Sequence, residues 1–356
     1  MAFDKKTPTI QDVARRANVS TATVSRALSH PERVSAATRA RVSEAVRVTG
    51  YTLNQTARSL RQRSARTILV ALPDIRNPFF SSILDAVERE AARRGYGVLV
   101  ANLYFGHETV WRLQDLLLSN RADGLLLLDG SVDPAQLRLL SEAPFSIPIV
   151  LGCEAIPGTD FHTVLTDNAF AAERATRHLI ELGHCHIGHI MGPERNVVAR
   201  DRLAGFTQAL ERAGLPLNPA WLFRGNFDIE SGFAAAARFV AQEGRPTAIF
   251  AANDESAIGF LSGVRQHGID CPRDVSVVGF DDLEVSPHFS PALTTIRQPT
   301  ETLGRMAAEA LIDLIAGERA AAAPLRIVLS SELVVRASSG QPPDRQRQAA
   351  ALDRAI

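Results

Sequence analysis

From Thr67 onward, short apolar runs alternate with stretches of helical periodicity, and this alternation limits the possible folds more than any other feature of the sequence. The runs predict strands at 68–72, 96–102, 124–128, 147–151, 185–191, 247–253 and 275–280. The stretches between and after them predict helices at 79–94, 108–119, 133–141, 168–182, 200–213, 229–242 and 255–267. Continuous apolar strands alternating with helices are typical of parallel sheets covered by helices on both faces. The two successive series therefore predict an α/β fold of doubly wound parallel sheets in two similar lobes.

The residues that follow these runs are candidates for a binding site, because sheets of this kind bind ligands beyond the carboxyl ends of their strands. Arg202 is expected to open the helix predicted at 200–213. The candidates combine aromatic rings with Arg, Asn and Asp, which suits a sugar or a nucleoside: Asp74, Asn77, Phe79, Phe80, Arg202, Phe227, Asn253 and Asp281. The alternative interpretation is that Asn253, Asp254 and Asp281 only cap the helices that follow them.

Charge divides the chain at about residue 66. Residues 1–66 contain 13 Lys and Arg residues against four acidic ones, so their formal charge is +9. The rest of the chain carries −9, and the total is therefore zero. Such an asymmetry indicates a segment that binds nucleic acid or membranes, attached to an acidic globular body.

Two short helices joined by a tight turn are predicted within 9–29. Thr9 and Asp12 resemble a capping box with Asp in place of Glu, and apolar residues then recur on one helical face. Asn18 tolerates left-handed backbone angles and is suited to end this helix. Ser20 offers an N-cap for the next helix.

The outward face of the second helix carries small or polar side chains and one arginine, namely Thr21, Ala22, Ser25 and Arg26. In a helix-turn-helix, the first residues of the second helix meet base edges in the major groove, where Arg can contact guanine through two hydrogen bonds. A third helix, predicted between Ser35 and Gly50, would close a small core. The alternative is an Ala-rich helical hairpin that binds nothing, and the basic charge favours DNA binding.

The segment TIQDVARRANVSTATVSRALSHPERVSAATRARV, followed by GYTLNQTARSLR, resembles the amino-terminal headpiece of the lactose-repressor (LacI/GalR) family. The resemblance runs without a gap through about 60 residues. It implies that residues of the second helix read bases in the major groove, namely Thr21, Ala22 and Arg26. It also implies contacts with the DNA backbone or a further base from residues outside this helix, namely Thr9, Ser20, Arg33 and Tyr51.

Residues 53–63 (LNQTARSLRQR) resemble the hinge helix of this family, with Asn54 as its cap and Ala57 and Leu60 on one face. Proteins that bend DNA insert apolar side chains between base steps of the minor groove, and the resemblance implies this role for Leu60. Many members have Pro before the capping Asn, whereas this chain has Leu53, which removes a restraint at the helix start and keeps the cap. The alternative is a simple basic linker, because eleven residues do not form a stable helix alone.

The second part of the chain resembles the effector-binding core of the same family, which is itself similar to periplasmic sugar-binding proteins. The matching segments are GPERNVVARDRLAGF, TAIFAANDESAIG, DVSVVGFDD and PALTTIRQP. The resemblance implies that Arg202, Asn253 and Asp281 bind hydroxyl groups and that Phe227 forms an aromatic wall. The segment LPDIRNPFFSSI is closest to the nucleoside-responsive (cytidine) repressors, but sugar-responsive members share it, so both classes of effector stay open.

These expectations define the domains. The predicted segments are the headpiece at 1–52, the hinge or linker at 53–65, the effector-binding and dimerisation core at 66–338, and a disordered tail at 339–356. Within the core, lobe one is expected at about 66–164 and 293–323, and lobe two at about 165–292 and 324–338.

Several classes of protein are disfavoured by what the sequence lacks. It contains neither the apolar region of a secretory signal nor a run long enough to cross a membrane, so a cytoplasmic protein without a membrane partner is expected. The histidines and cysteine of LGHCHIGHI have no second cluster to complete a zinc site, and no metal or cofactor is expected. The glycine-rich and nucleophile motifs of common enzymes do not occur in the required contexts.

The sequence therefore predicts a dimeric, ligand-controlled transcriptional regulator, specifically a repressor of a carbohydrate or nucleoside operon that binds a pseudo-palindromic operator. The tail is too short for an additional coiled coil, which favours a dimer over a tetramer. One alternative is an architectural DNA-binding protein with a vestigial cleft, whose DNA affinity no small molecule would change. Another is an enzyme that uses the cleft, whose turnover would depend on Arg202 and Asp281.

Overall fold

The computed structural model describes residues 8–51, 64–103, 108–142, 144–318 and 324–343. The chain divides into two compact units, Met1–Arg63 and Ser64–Ile356. The predicted hinge contacts Asn54, Ala57 and Leu60 lie outside the described residues, as do residues 344–356 of the predicted tail. Among the described helices, none combines the length and the apolar character needed to span a bilayer.

In its described residues, the first unit forms helices α1 (Ile10–Ala17), α2 (Thr21–Ser29) and α3 (Ala36–Thr49). Val13, Val24 and Val42, one from each helix, are fully or almost fully buried and form the centre of a small apolar core. The turn between α1 and α2 is short, so the two helices form the predicted helix-turn-helix. Gly50 ends α3 in the left-handed conformation, with φ of 65°.

The ends of α1 and the start of α2 show the predicted capping interactions. The Thr9 backbone N–H and hydroxyl both donate to Asp12 Oδ2, at 3.0 and 2.7 Å. Asn18 adopts left-handed angles, with φ of 50°, and ends α1. Ser20 Oγ accepts a hydrogen bond of 3.1 Å from the Thr23 backbone N–H and caps α2. Each of these signals is local, which explains why the sequence predicts them correctly.

The second unit alternates strands and helices along the chain. Its strands are β1 (Thr67–Leu72), β2 (Gly97–Asn102), β3 (Leu125–Leu127), β4 (Ile149–Cys153), β5 (His162–Thr166), β6 (Ile187–Ile190), β7 (Leu222–Phe223), β8 (Ala248–Ala251), β9 (Ser276–Asp281), β10 (Thr294–Arg297), β11 (Arg326–Leu329) and β12 (Glu332–Val334). Its helices are α4 (Pro78–Arg93), α5 (Glu108–Leu118), α6 (Pro134–Ser141), α7 (Asn168–Glu181), α8 (Val197–Arg212), α9 (Ile229–Val240), α10 (Asp254–Arg265) and α11 (Thr300–Ala316).

These strands form two sheets with helices on both faces. The first sheet has the strand order β11-β5-β4-β3-β1-β2 and is parallel throughout its described pairs. The second has the order β12-β10-β9-β8-β6-β7, in which β12 runs antiparallel to β10 and the other pairs are parallel. Helices α4 and α11 pack on one face of the first sheet and α5 and α6 on the other. Helices α9 and α10 cover one face of the second sheet, and α7 and α8 cover the other.

The expected lobe boundaries are wrong for two strands. Strand β10 falls in the segment expected for lobe one, yet it pairs with β9 and β12 of the second sheet. Strand β11 falls in the segment expected for lobe two, yet it pairs with β5 of the first sheet. The chain crosses between the sheets after β5, after β10 and again between β11 and β12. Strand pairing is a long-range property, so the local sequence does not reveal these crossings.

Both ends of the core differ from the predicted limits. Ser64, Ala65 and Arg66 donate to the Asp123 carboxylate at 2.8, 2.6 and 2.7 Å, so Ser64 and Ala65 belong to the core rather than to the linker. At the other end, Gly340 lies within the segment predicted to be a disordered tail. Its carbonyl lies 2.9 Å from a ring nitrogen of the buried His184, so this part of the tail is held on the second lobe.

Candidate functional site

The predicted base-reading residues share one surface of α2. Thr21, Ala22 and Arg26 are exposed, and Ser25 is partly exposed. The Arg26 guanidinium forms no hydrogen bond or ion pair within the described part of the chain. The small side chains of Thr21 and Ala22 allow the helix to approach a base edge closely, and the Arg26 guanidinium is available to donate hydrogen bonds there.

The other headpiece residues predicted to contact DNA lie around this helix. Thr9 and Ser20 are exposed at the N-termini of α1 and α2, where each takes part in the capping described above. Arg33 is exposed and lies 3.7 Å from Glu32. Tyr51 is half-buried and packs against the headpiece core. Thr9 and Ser20 have a structural role as helix caps, and Tyr51 has one in the headpiece core. A DNA contact stays a prediction for all four residues.

A cleft of about 540 Å³ lies in the second unit, lined by residues of both lobes that follow the carboxyl ends of strands. All eight residues predicted for effector binding line it: Asp74, Asn77, Phe79, Phe80, Arg202, Phe227, Asn253 and Asp281. The fold thus brings the predicted residues together beyond the carboxyl ends of the strands, where ligand sites of such sheets form.

Arg202 is the central cation of the cleft and is almost fully buried. It does not open α8 as expected, because Asn196 caps this helix by accepting from the Ala199 N–H, so Arg202 lies in the second turn. Its Nε donates to Asn168 Oδ1 at 3.0 Å, and its Nη1 donates to a backbone carbonyl of the second lobe. The guanidinium carbon lies 3.7 Å from the centroid of the Phe280 ring. Burial lowers the pKa of Arg202, although nearby carboxylates oppose this effect.

Asp281 ends β9 and faces Arg202 across a short gap. Its Oδ1 lies 3.8 Å from Arg202 Nη2 and accepts a hydrogen bond of 2.8 Å from Gln298 Nε2. Burial raises the pKa of Asp281 to about 6, while the Arg202 charge opposes the rise. The residue has a φ of 116°, a strained conformation of the kind that is concentrated at functional sites.

Phe227 supplies an aromatic wall beside this pair. Its φ is 61°, and its ring centroid lies 5.6 Å from the Arg202 guanidinium carbon. The ring packs over Gly192, where any side chain would overlap it. A glycine at this position is therefore required for the ring to reach the cleft.

The helix-capping interpretation applies to Asn253 but not to Asp281. Asn253 Oδ1 accepts from the Ser256 N–H at 3.1 Å and caps α10, while its Nδ2 donates to the Phe227 carbonyl at 2.9 Å. In this structure Asn253 thus holds the backbone of the aromatic wall. Asp281 caps no helix in the described residues and bonds Gln298 instead.

Asp254 follows Asn253 and is fully buried behind the cleft. Its carboxylate accepts from the Leu283 N–H at 2.9 Å and from the hydroxyls of Ser286 and Thr295 at 2.6 and 2.5 Å. Burial and the charge of Asp281 raise the pKa of Asp254 to about 7. Asp254 therefore fixes the loop that follows β9 and, with it, the position of Asp281.

The first lobe contributes aromatic rings and a second polar group. Phe79 and Phe80 are buried at the start of α4, with ring centroids 5.2 Å apart in an edge-to-face arrangement. Asn77 Oδ1 accepts from the Phe79 N–H at 2.9 Å and so caps α4. Asp74 pairs with Arg76 at 2.7 Å, and this hydrogen bond lowers the pKa of Asp74.

Glu154 and Asp129 line the cleft at the ends of β4 and β3, and the sequence prediction missed both. Glu154 Oε2 accepts from the Gly130 N–H at 2.8 Å, and both its oxygens lie 3.2 Å from Asn196 Nδ2 of the second lobe. Burial and the nearby charge of Asp129 raise the pKa of Glu154 to about 7. Asp129 directly follows the apolar run at 124–128, so the strand-end rule applied to every run would have found it.

The histidines that raised the question of a metal have structural partners. The two ring nitrogens of His184 lie 2.9 Å from Thr247 Oγ1 and 3.1 Å from Ser276 Oγ. The His189 ring stacks against Phe206 and Phe250 in the core of the second lobe. No group of three or more metal-ligating side chains suited to a metal ion occurs among the residues that the structure describes.

The helix-turn-helix headpiece and the two-lobed core with its cleft define a DNA-binding transcriptional regulator. Residues 9–54 match the family described as bacterial regulatory proteins, lacI family, and residues 176–339 match the periplasmic binding protein-like domain. The chain belongs to the lacI family.

The chain is similar to known proteins along almost its whole length. The HTH-type transcriptional repressor CytR of Escherichia coli (strain K12) is 38% identical over 335 residues, which cover 94% of this chain and 97% of that protein. The HTH-type transcriptional repressor PurR of Escherichia coli O139:H28 is 36% identical over 339 residues, covering 95% and 98%. The lac repressor bound to ONPG is 29% identical with a TM-score of 0.82, covering 94% of this chain and 100% of that chain. These relatives are repressors of transcription, not enzymes.

Proposed function

We propose that this protein is a ligand-controlled, sequence-specific repressor that binds a pseudo-palindromic operator as a dimer, and that its effector is a sugar or a nucleoside. The regulated operon would encode uptake or catabolism of that compound. The observation that carries the proposal is a single chain with an exposed recognition helix and a two-lobed cleft lined by aromatic rings and a buried Arg–Asp pair.

The surface of α2 supports base reading. Thr21 and Ala22 are small, so the first turn of the helix can enter the major groove closely. Arg26 can donate two hydrogen bonds to guanine O6 and N7, and within the described residues no protein group competes for its guanidinium. The positive charge of residues 1–66 would add phosphate contacts, which make affinity fall as salt concentration rises.

The Arg202–Asp281 gap supports binding of hydroxyl groups. At 3.8 Å, Nη2 and Oδ1 are too far apart for a direct hydrogen bond. A ligand hydroxyl placed there can accept from Arg202 and donate to Asp281 at the same time. The rings of Phe79, Phe80 and Phe227 supply apolar surface for the rest of a cyclic ligand. Sugars and nucleosides combine these two properties.

The proposed dimer and operator follow from the relatives and from symmetry. A solved structure to which this chain is similar, with a TM-score of 0.82, is the lac repressor dimer bound to operator and the anti-inducer ONPF. If this chain also forms a two-fold dimer, its two recognition helices read inverted half-sites. The operator is then a pseudo-palindrome.

Control by ligand is supported by contacts between the lobes. The Glu154–Asn196 hydrogen bond joins the first lobe to the second at the cleft. A ligand bound between the lobes with different affinity for open and closed arrangements shifts the population between them. By linkage, the operator then changes the affinity for the effector by the same factor as the effector changes the affinity for the operator.

The experiment uses the full chain in two stages. Selection from randomised DNA should enrich a sequence with two inverted half-sites, and enrichment of an asymmetric sequence would contradict the dimeric operator. The affinity for the selected DNA is then measured by fluorescence anisotropy with and without individual sugars and nucleosides. We expect an effector to change this affinity by about fivefold to 150-fold.

Two variants separate the parts of the proposal. Arg202→Ala should abolish the response to the effector and keep DNA binding, whereas Arg26→Ala should weaken DNA binding and keep effector binding. A DNA affinity that no compound changes would instead favour the architectural protein with a vestigial cleft.

A further inference from the structure

Carboxylates dominate the polar lining of the cleft. Seven acidic side chains line it against three arginines, so an anionic ligand would be repelled. Two of the acids, Asp129 and Glu154, lie on the first-lobe side of the cleft and are only 7% and 8% exposed. A ligand enclosed between the lobes must therefore meet buried carboxylates on the first-lobe side.

These two carboxylates have few donors of their own. Ser131 donates its backbone N–H to Asp129 Oδ1 at 2.8 Å, and no donor reaches Asp129 Oδ2 within the described residues. Glu154 receives one backbone N–H, from Gly130, and the amide of Asn196. Asp129 Oδ2 therefore keeps its hydrogen-bonding capacity at the cleft, and a ligand N–H placed there would gain a charge-assisted hydrogen bond.

The pair also has no cation of its own. Among the described side chains, no Lys, Arg or His forms an ion pair with either acid. Arg202, a buried cation of the cleft, opposes the rise in the pKa of Glu154, but its guanidinium is bonded to Asn168 and a backbone carbonyl. Burial and the charge of Asp129 raise the cost of ionising Glu154, consistent with its pKa of about 7. A donor that carries positive charge, or the partial positive charge of an amino group, would relieve this repulsion.

We propose that Glu154 and Asp129 form a specificity subsite for a nitrogen donor of the effector, an amino or ammonium group, and that the subsite rejects a carbonyl or an anionic group at the same place. The proposal rests on the proposed function, because it requires an effector in the cleft. At pH 8, above the pKa of about 7 of Glu154, its ionised carboxylate only accepts hydrogen bonds, so a carbonyl placed against it brings two acceptors together. The donor can come from an amino-substituted nucleobase or from an amino sugar.

The test compares pairs of compounds that differ in one group. Isothermal titration calorimetry on the full chain at pH 8, where Glu154 is ionised, measures cytidine against uridine, and glucosamine against glucose. In the pair that fits the cleft, the member with the nitrogen donor should bind about tenfold to a hundredfold more tightly. Which pair shows the preference identifies the source of the donor.

Variants assign this preference to the two carboxyl groups. Glu154→Gln adds an amide N–H that can donate to a ligand carbonyl. The ratio of affinities for the amino compound and the carbonyl or hydroxyl compound should therefore fall by about tenfold or more. Asp129→Asn should change it in the same direction and serves as a second variant if Glu154→Gln folds poorly. Glu142→Gln, a matched change at an exposed residue of the first lobe outside the cleft, should leave the preference unchanged.

The outcomes separate the subsite from the proposed function. Binding of a sugar or nucleoside without a preference for the nitrogen donor, or a preference that survives both variants, would overturn the subsite and leave the proposed function in place. If none of the four compounds and no other sugar or nucleoside binds, both the subsite and the proposed class of effector are overturned.

Discussion

Replacing Asp281 by Asn should stabilise the protein at alkaline pH while weakening effector binding. Asp281 is almost completely buried, and burial raises the pKa of its carboxyl from 3.8 to about 6. Because one pKa unit corresponds to about 1.4 kcal/mol, this rise means that the ionised form costs about 3 kcal/mol in the folded state. The raised pKa already includes the opposing attraction of Arg202. Asparagine has nearly the same shape and carries no charge, so it avoids this cost.

The pH dependence follows from the sign of the shift. A carboxyl whose pKa is higher in the folded than in the unfolded state contributes its full stability below the unfolded value, here 3.8, and loses it as the pH rises through about 6. At pH 8 the Asp281→Asn variant should therefore be more stable than the wild type by up to about 3 kcal/mol, or several degrees in melting temperature. Near pH 4 the difference should fall below about 1 kcal/mol.

The assay is thermal unfolding of the full chain, followed by circular dichroism across this pH range. Asp115→Asn is the matched control, because Asp115 is exposed on α5 and its substitution should change the melting temperature little at any pH. Effector affinity of Asp281→Asn should fall by about tenfold or more, since a charged acceptor is lost. The reasoning is refuted if the variant is no more stable than the wild type at pH 8, or if a gain persists undiminished at pH 4.

Three further substitutions test the headpiece and the support of the cleft. Arg26→Ala should cost about 1–3 kcal/mol of operator affinity and relax specificity at one base pair, measured by anisotropy on operator variants; an equal loss on every DNA sequence would exclude base reading. Asn18→Val should destabilise the turn after α1 by about 1–2 kcal/mol, because Asn18 has a φ of 50°, whereas Asn18→Gly should not, and hydrogen exchange of the α1 and α2 amides in the full chain distinguishes them. Asp254→Ala should lower unfolding free energy by about 3 kcal/mol or more, since it leaves the Leu283 N–H and two hydroxyls without an acceptor; an unchanged melting temperature would contradict this.

The helix ends of the described headpiece could be predicted because their signals are local. Asn18, Ser20 and Gly50 each act through their own backbone angles or through the next few N–H groups. The repeated strand–helix pattern of the core is also local, so the two sheets and the cleft at their strand ends were expected. The described structure confirms that fold class.

What escaped prediction depends on distant parts of the chain. Helix α11 begins after Pro299 without a side-chain cap, so the usual start signal is missing. Strand β10 and strand β11 are short and mixed in polarity, and only their partners decide the sheet to which each belongs. Glu154 belongs to no recognisable sequence motif. Its role depends on Asp129 and Asn196, which are distant in the sequence and which the fold places beside it.

The three hydrogen bonds from Ser64, Ala65 and Arg66 to Asp123 fix the point at which the chain enters the first lobe. An extended residue spans at most about 3.5 Å, so these three residues hold about 10 Å of chain in place. Their partner, Asp123, lies in the loop that precedes β3 of the first sheet. A rotation of the first lobe therefore carries the backbone of Ser64 with it, so the entry point of the chain turns with the lobe.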